Sequence, residues 1–201
     1  MSAQSTDGTI DLILDTASKI FSDHCGKSLL DQAEESIFPR DLWELLKKNG
    51  FNQLGSKETG TSISDLYAFL IMCGRFAVPL PISETLLMNL WFGDVGNISG
   101  IGELRDGKIC EVSGGYKVPR IGIVEKGNNT VTALSGAVLI REGRNLAGEA
   151  RDSIEPQSGK TLTVSDDPYA QLALTRVCLM AGCMQSVLDL GVQFSLERSQ
   201  F

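Results

Sequence analysis

The sequence predicts an α+β protein: an N-terminal helical bundle, a small antiparallel β domain, and a long helix that begins a truncated C-terminal helical bundle. Apolar residues recur at helical spacing over the first 92 positions. From Gly93 glycine-punctuated, β-rich segments replace them. After Asp166-Asp167-Pro168 an apolar stretch runs on without a breaker. The expected domains are therefore 1–92 (all-α), 93–165 (a reduced middle β domain) and 166–201 (the start of a C-terminal α domain).

The first helix is expected over about 7–24. Ile10, Ile13, Leu14, Ala17, Ile20 and Phe21 fall at offsets 0, 3, 4, 7, 10 and 11, one stripe of a 3.6-residue period. Thr6 or Asp7 can cap it. A polar connection through Glu34, Glu35 and Pro39 follows. The second helix runs from about Pro39 to Asn49, with Lys47 and Lys48 at the negative end of its dipole and Gly50 as a left-handed stop. A third begins at Ser62 or Ser64 and carries Ile63, Leu66, Tyr67, Leu70, Ile71 and Gly74 on one face. Val78-Pro79-Leu80-Pro81 ends it, because proline disfavours helix in the residue before it. Ser83 is expected to cap a fourth helix reaching Trp91.

Seven glycines lie between Gly93 and Gly115, which leaves room only for short segments. Asp106-Gly107 tolerates the positive φ of a tight primed turn and predicts a hairpin. Gly127-Asn128-Asn129 separates two strand candidates, 121–124 and 130–134. Segments 136–140 and 160–164 supply two more. Asp167 with Pro168 just inside starts the last helix, which at 1.5 Å per residue extends roughly 45 Å. Its run 172–190 is interrupted by Thr175, Arg176, Gln185 and Asp189, so it reads as a buried helix and not a membrane span. Gly182 and Gly191 leave room for a close neighbour.

Composition excludes several functions. Net charge is −7, from 18 basic and 25 acidic residues, and no basic stripe interleaves with aromatics. Nucleic-acid binding, which draws its affinity from phosphate neutralisation, is not expected. Cys25, Cys73, Cys110, Cys178 and Cys183 are odd in number and form no C-x-x-C pair, pointing to buried free thiols without a metal site or disulfides. The polar N-terminus has no secretory signal, so a cytoplasmic location is expected. Gly159-Lys160-Thr161 lacks the first glycine of a phosphate loop, since Ile154 stands there; Gly100-Ile101-Gly102 lacks the third glycine of a dinucleotide fingerprint, since Arg105 stands there. His24 is the single histidine. No catalytic set emerges from the residues alone.

The closing residues are more specific. Leu188-Asp189-Leu190-Gly191-Val192-Gln193-Phe194-Ser195-Leu196-Glu197-Arg198-Ser199-Gln200-Phe201 resembles the signature in which an arginine, a glutamine and a phenylalanine close the first C-terminal helix of the acyl-CoA dehydrogenases. Phe194 stands where that family usually has tyrosine. Leu42-Trp43-Glu44-Leu45-Leu46-Lys47-Lys48-Asn49-Gly50-Phe51, Gly74-Arg75-Phe76-Ala77-Val78-Pro79-Leu80-Pro81 and Gly143-Arg144-Asn145-Leu146-Ala147-Gly148-Glu149 resemble further phrases of the same family.

The resemblance implies an FAD-dependent enzyme that oxidises an acyl-CoA thioester between its α and β carbons. A glutamate takes the α proton while the β hydride passes to the flavin. It implies that Arg198 reaches the flavin diphosphate, with Gln200 and Phe201 near the same cofactor, and that the flavin is bound largely by a neighbouring subunit. The planar, permanently charged guanidinium of arginine suits phosphate oxygens. The expected partners are an acyl-CoA substrate and a homo-oligomer, or a mixed oligomer with a related subunit. Two family features are missing from 93–165: the threonine–glutamate phrase and the tryptophan-bearing strand that hold the flavin ring. The catalytic base is expected beyond Phe201. A non-catalytic partner subunit of a mixed acyl-CoA dehydrogenase-like oligomer is the alternative reading.

Overall fold

The computed structural model describes residues 7–35, 37–56, 59–93, 96–115 and 117–198. Helix α1 spans Asp7–His24, α2 Lys27–Glu34, α3 Arg40–Lys48, α4 Ile63–Arg75 and α5 Ile82–Phe92. The expected stripe of α1 buries Ala17 and Phe21 completely, and Phe21 meets Phe69 of α4 with ring centroids 6.0 Å apart. A 3-10 turn at Phe51–Gln53 follows Gly50, whose φ of +76° makes it the left-handed stop that the sequence suggests. Phe51 stacks on Phe69 at 5.1 Å, closing the helical core.

The polar connection expected after α1 contains α2. It escapes a periodicity reading because none of its residues is buried, so it has no apolar stripe to display. The Lys27–Asp31 pair, four residues apart and 2.6 Å between Nζ and Oδ2, supports it locally. The cap of α4 is as expected: Ser62 Oγ accepts from Asp65 N at 3.2 Å, and Ser62 N donates to Asp65 Oδ2 at 2.7 Å. Helix α5 departs from expectation. Pro81 occupies its N-cap position, and Ser83 lies inside the helix, where its hydroxyl donates to Glu84 Oε2 at 2.7 Å.

Among the described residues seven strands form one sheet: β1 Ser99–Arg105, β2 Lys108–Ser113, β3 Arg120–Val124, β4 Thr130–Leu134, β5 Leu139–Arg141, β6 Arg151–Ile154 and β7 Lys160–Thr163. Their order is β5-β6-β2-β1-β3-β4-β7. The α+β class stands, but the sheet is mixed and not wholly antiparallel. The chain leaves β2 at one side of β1 and returns to the other, so β3 pairs with β1 in parallel. The Asp106-Gly107 turn forms as expected, with φ of +48° and +72°. Strand β6 was not expected from the sequence because its four residues include Arg151, Asp152 and Ser153. It is held by Val112↔Asp152 and Ser113↔Arg151 pairing, and Asp152 Oδ1 accepts from Gly143 N at 3.0 Å.

Helices and sheet share one core, in which Leu66, Leu70 and Leu86 meet Ile109, Ile121, Leu134 and Ile154. A smaller cluster joins Leu87 and Met88 to Ile101, Val124 and Val131. Buried polar groups of α5 knit the layers together. Asn89 Nδ2 donates to Asn52 O at 2.6 Å, Ser99 N donates to Thr85 Oγ1 at 3.0 Å, and Arg120 Nε donates to Ser99 Oγ at 2.7 Å. Such groups are stable inside only when hydrogen-bonded.

Helix α6 spans Pro168–Glu197, and Asp167 Oδ1 caps it by accepting from Tyr169 N and Ala170 N. It crosses α4 at backbone contact. A Cβ on Gly182 would lie 1.9 Å from Ile71 O, and one on Gly74 2.0 Å from Leu179 O. Gly191, by contrast, has nothing within 4 Å of such a Cβ. The expected buried helix is buried only at Pro168, Thr175, Cys178 and Gly182. By length and composition α6 alone among the described helices could cross a membrane, with 11% of its most apolar window buried. All five cysteines are free. Cys73 and Cys178 are buried as expected, Cys25 and Cys110 are partly buried, and Cys183 is exposed. Burial pushes the Cys25 thiol up to about 11, which makes it a poor nucleophile near neutrality.

Candidate functional site

A groove of about 940 Å³ lies between the helices and the sheet. One wall comes from α3, the end of α4 and α6; the other comes from the end of β2 and the β5–β6 connection. Trp43, Leu80, Val118 and Leu179 give it apolar surface. The volume is of the size that takes a small molecule or cofactor fragment. Some of its charges are paired: Lys47 with Glu44 at 2.9 Å, and Arg151 with Glu149 at 2.7 Å.

The β5–β6 connection is a built loop. Asn145 Oδ1 accepts from Ala147 N and Glu149 N, both at 3.0 Å, and Arg144 Nη1 donates to Glu34 O at 3.3 Å. These bonds fasten the sheet-side wall to the end of α2. The phrase 143–149, read from sequence as a family likeness, is this wall.

At the floor, Arg176 Nη2 donates to Glu84 Oε1. Glu84 has no exposed surface, while the Arg176 side chain retains 35% of its own. Burial alone would raise the Glu84 carboxyl. The Arg176 charge, the Ser83 hydroxyl and the backbone outweigh it, holding the carboxyl below the ordinary carboxylate range. Neither residue carries a role in the sequence reading. The signal for them was a lone arginine in the apolar run 172–190, because a charge there needs a partner on a neighbouring element.

Arg198, expected at the cofactor, follows the last turn of α6 and is exposed, its guanidinium 5.8 Å from the Phe194 ring centroid. At 1.5 Å per residue it lies roughly 33 Å along the helix from Arg176, so it is no part of the groove. Gln200 and Phe201 lie outside the described residues. Among the described residues no group of three or more His, Cys, Asp or Glu side chains could hold a metal ion.

No protein-family model and no curated protein sequence matches the chain. Solved structures do. A variant of the Tcur3481-Tcur3483 steroid ACAD superposes with a TM-score of 0.75 at 16% identity, covering 98% of this chain and 69% of that one. A Mycobacterium smegmatis protein titled as an acyl-CoA dehydrogenase superposes at 0.66 with 12% identity, covering 100% and 71%. The fold is the acyl-CoA dehydrogenase-like fold. PigA, solved with FAD and proline, also superposes at 0.66 with 11% identity, covering 100% and 71%.

Proposed function

We propose that this chain is part of an FAD-dependent acyl-CoA dehydrogenase that introduces an α,β double bond into an acyl-CoA thioester. The observation that supports this reading is the acyl-CoA dehydrogenase-like fold continuing to the end of α6, where Arg198 stands exposed. In this reading 1–92 is the N-terminal helical domain, 93–165 the middle β domain and 166–201 the start of the C-terminal domain, in a cytoplasmic oligomer.

FAD, when bound, supplies the acceptor for the β hydride. Arg198 fits a place at its diphosphate: the guanidinium is exposed, permanently charged and shaped to fork onto phosphate oxygens. By the same resemblance Gln200 and Phe201 are assigned to the cofactor site. The groove binds and aligns the acyl portion, and its apolar walls exclude water. Glu84 is not the base, because it is wholly buried and committed to Arg176 and Ser83. By the family resemblance the proton-abstracting carboxylate is expected beyond Phe201.

The absence from 93–165 of the threonine–glutamate phrase and the tryptophan-bearing strand favours a second reading, a non-catalytic partner subunit of a mixed oligomer. Titration of the purified protein with FAD, followed in the flavin absorbance bands, tests the first. Stoichiometric uptake is expected, and Arg198→Ala should weaken it about tenfold, since a hydrogen bond to a charged group contributes about 1.5–3 kcal/mol. Protein that stays colourless with excess FAD and an acyl-CoA rejects the reading. Uptake only after co-expression with a longer related chain selects the partner-subunit form.

A further inference from the structure

The ion pair at the groove floor has a consequence for what the groove holds. Arg176, Leu179 and Cys183 line it from one face of α6, at offsets 0, 3 and 7. A guanidinium has five N–H donors. Among the described residues Arg176 gives one of them to Glu84, and its side chain keeps 35% of its surface open. Glu84, fixed by Ser83 and wholly buried, holds that guanidinium in place, because moving it away would strand a buried carboxylate.

The charges decide the ligand. Glu84 and Arg176 sum to zero, so a full anion approaching the free N–H groups also meets the carboxylate behind them. A cation meets the guanidinium first. A neutral oxygen acceptor takes the hydrogen bond and faces neither repulsion nor the desolvation of a charge. The rest of the lining carries five basic and five acidic side chains, the Lys47–Glu44 and Arg151–Glu149 pairs among them, so it adds no net charge of either sign. Leu80, Val118 and Leu179 give the same groove apolar surface.

We propose that Arg176, held by Glu84, is a specificity residue that receives a neutral carbonyl or hydroxyl oxygen on an otherwise apolar ligand in the groove. This rests on reading the groove as the ligand cleft, and it makes the preferred substrate class one with an uncharged oxygen function away from its reacting end. Arg176 touches the ligand and takes no part in bond making.

Calorimetric titration of the purified chain with four ligands sharing one bicyclic frame tests it: tetralin, 2-tetralone, tetralin-2-carboxylate and 2-aminotetralin. The ketone is expected to bind about tenfold more tightly than tetralin, as one hydrogen bond to a charged donor allows. Carboxylate and ammonium forms should bind no better than tetralin. The double variant Glu84→Gln with Arg176→Met, which leaves no stranded charge, should bind ketone and hydrocarbon equally. Arg176→Lys should keep only part of the preference, lacking the planar fork. Equal binding of ketone and tetralin to the unaltered chain, no binding of either, or tightest binding of the carboxylate each overturns the proposal. If the double variant fails to fold, the ranking on the unaltered chain decides alone. Flavin uptake plays no part in this titration, so its outcome is separate from that of the FAD experiment.

Discussion

The two halves of α6 are similarly apolar, but only the first has a covered face, and even there Leu174, Val177 and Met180 are exposed. Over 168–183 the helix lies against α4 so closely that Gly74 and Gly182 have no room for a Cβ. Over 184–197 Met184, Val187, Leu188, Leu190, Val192, Phe194 and Leu196 are all exposed, Leu196 at 82%. Apolar content alone therefore does not distinguish the half that docks, which packs Tyr169, Leu172, Cys178 and Leu179 into the cores. The missing side chains at two crossing points let the backbones approach, and Arg75–Asp189, a surface pair at 2.8 Å, is the last polar tie between the helices.

The sharpest way to break this contrast is to put a methyl group at the crossing. Gly182→Ala would push a Cβ onto a backbone carbonyl that cannot swing aside, and about 3 kcal/mol of destabilisation is expected, the upper end for overpacking. Urea unfolding monitored by tryptophan fluorescence measures it. A loss below about 1 kcal/mol would mean that the helices are not in backbone contact.

Next in size is the ion pair between α5 and α6. Arg176→Met should cost about 2–3 kcal/mol, less than a fully buried pair because the arginine is partly solvated. Adding Glu84→Gln should recover most of that loss, since no charge is then stranded. The pair also sets an acid limit. Glu84 is held below its ordinary value of 4.5, so its contribution is complete above about pH 4.5 and is lost as pH falls through the lower folded value. Stability measured from pH 7 to 3 should therefore fall less steeply in acid for Glu84→Gln than for the unaltered chain. A parallel pair of curves would contradict the ionised assignment.

The exposed half of α6 should respond in the other direction. Gly191→Ala has open space around it and should stabilise by about 0.5–1 kcal/mol through helix propensity. Smallest of all, Val187→Gln with Leu190→Gln should change the unfolding free energy by no more than about 0.5 kcal/mol, as expected for surface positions. The same double variant should reduce self-association in sedimentation velocity, because large exposed apolar patches drive association.

Much of the layout was legible in the sequence because local chemistry fixes it. The stripe of α1, the Ser62 cap, the left-handed Gly50, the Asp106-Gly107 turn and the Asp167-Pro168 start each depend on a few adjacent residues. What escaped has no local signature. Helix α2 buries nothing, β6 is polar and held by β2, and Ser83 is drawn inside α5 by Glu84. The candidate site divides in the same way. Arg198 was found by likeness to a motif, whereas Glu84 and Arg176, separated by 91 intervening residues, meet only because α5 and α6 pack together.

By itself the sequence determined the α+β order of elements, most turns and caps, and the arginine that ends the long helix, since dihedral preference and side-chain period act over a handful of residues. Only the tertiary structure decided that β3 returns parallel to β1, which face of α6 is covered, and that a buried glutamate anchors Arg176. Those outcomes depend on which distant backbones can approach within hydrogen-bonding or van der Waals reach. No run of neighbouring residues encodes that distance.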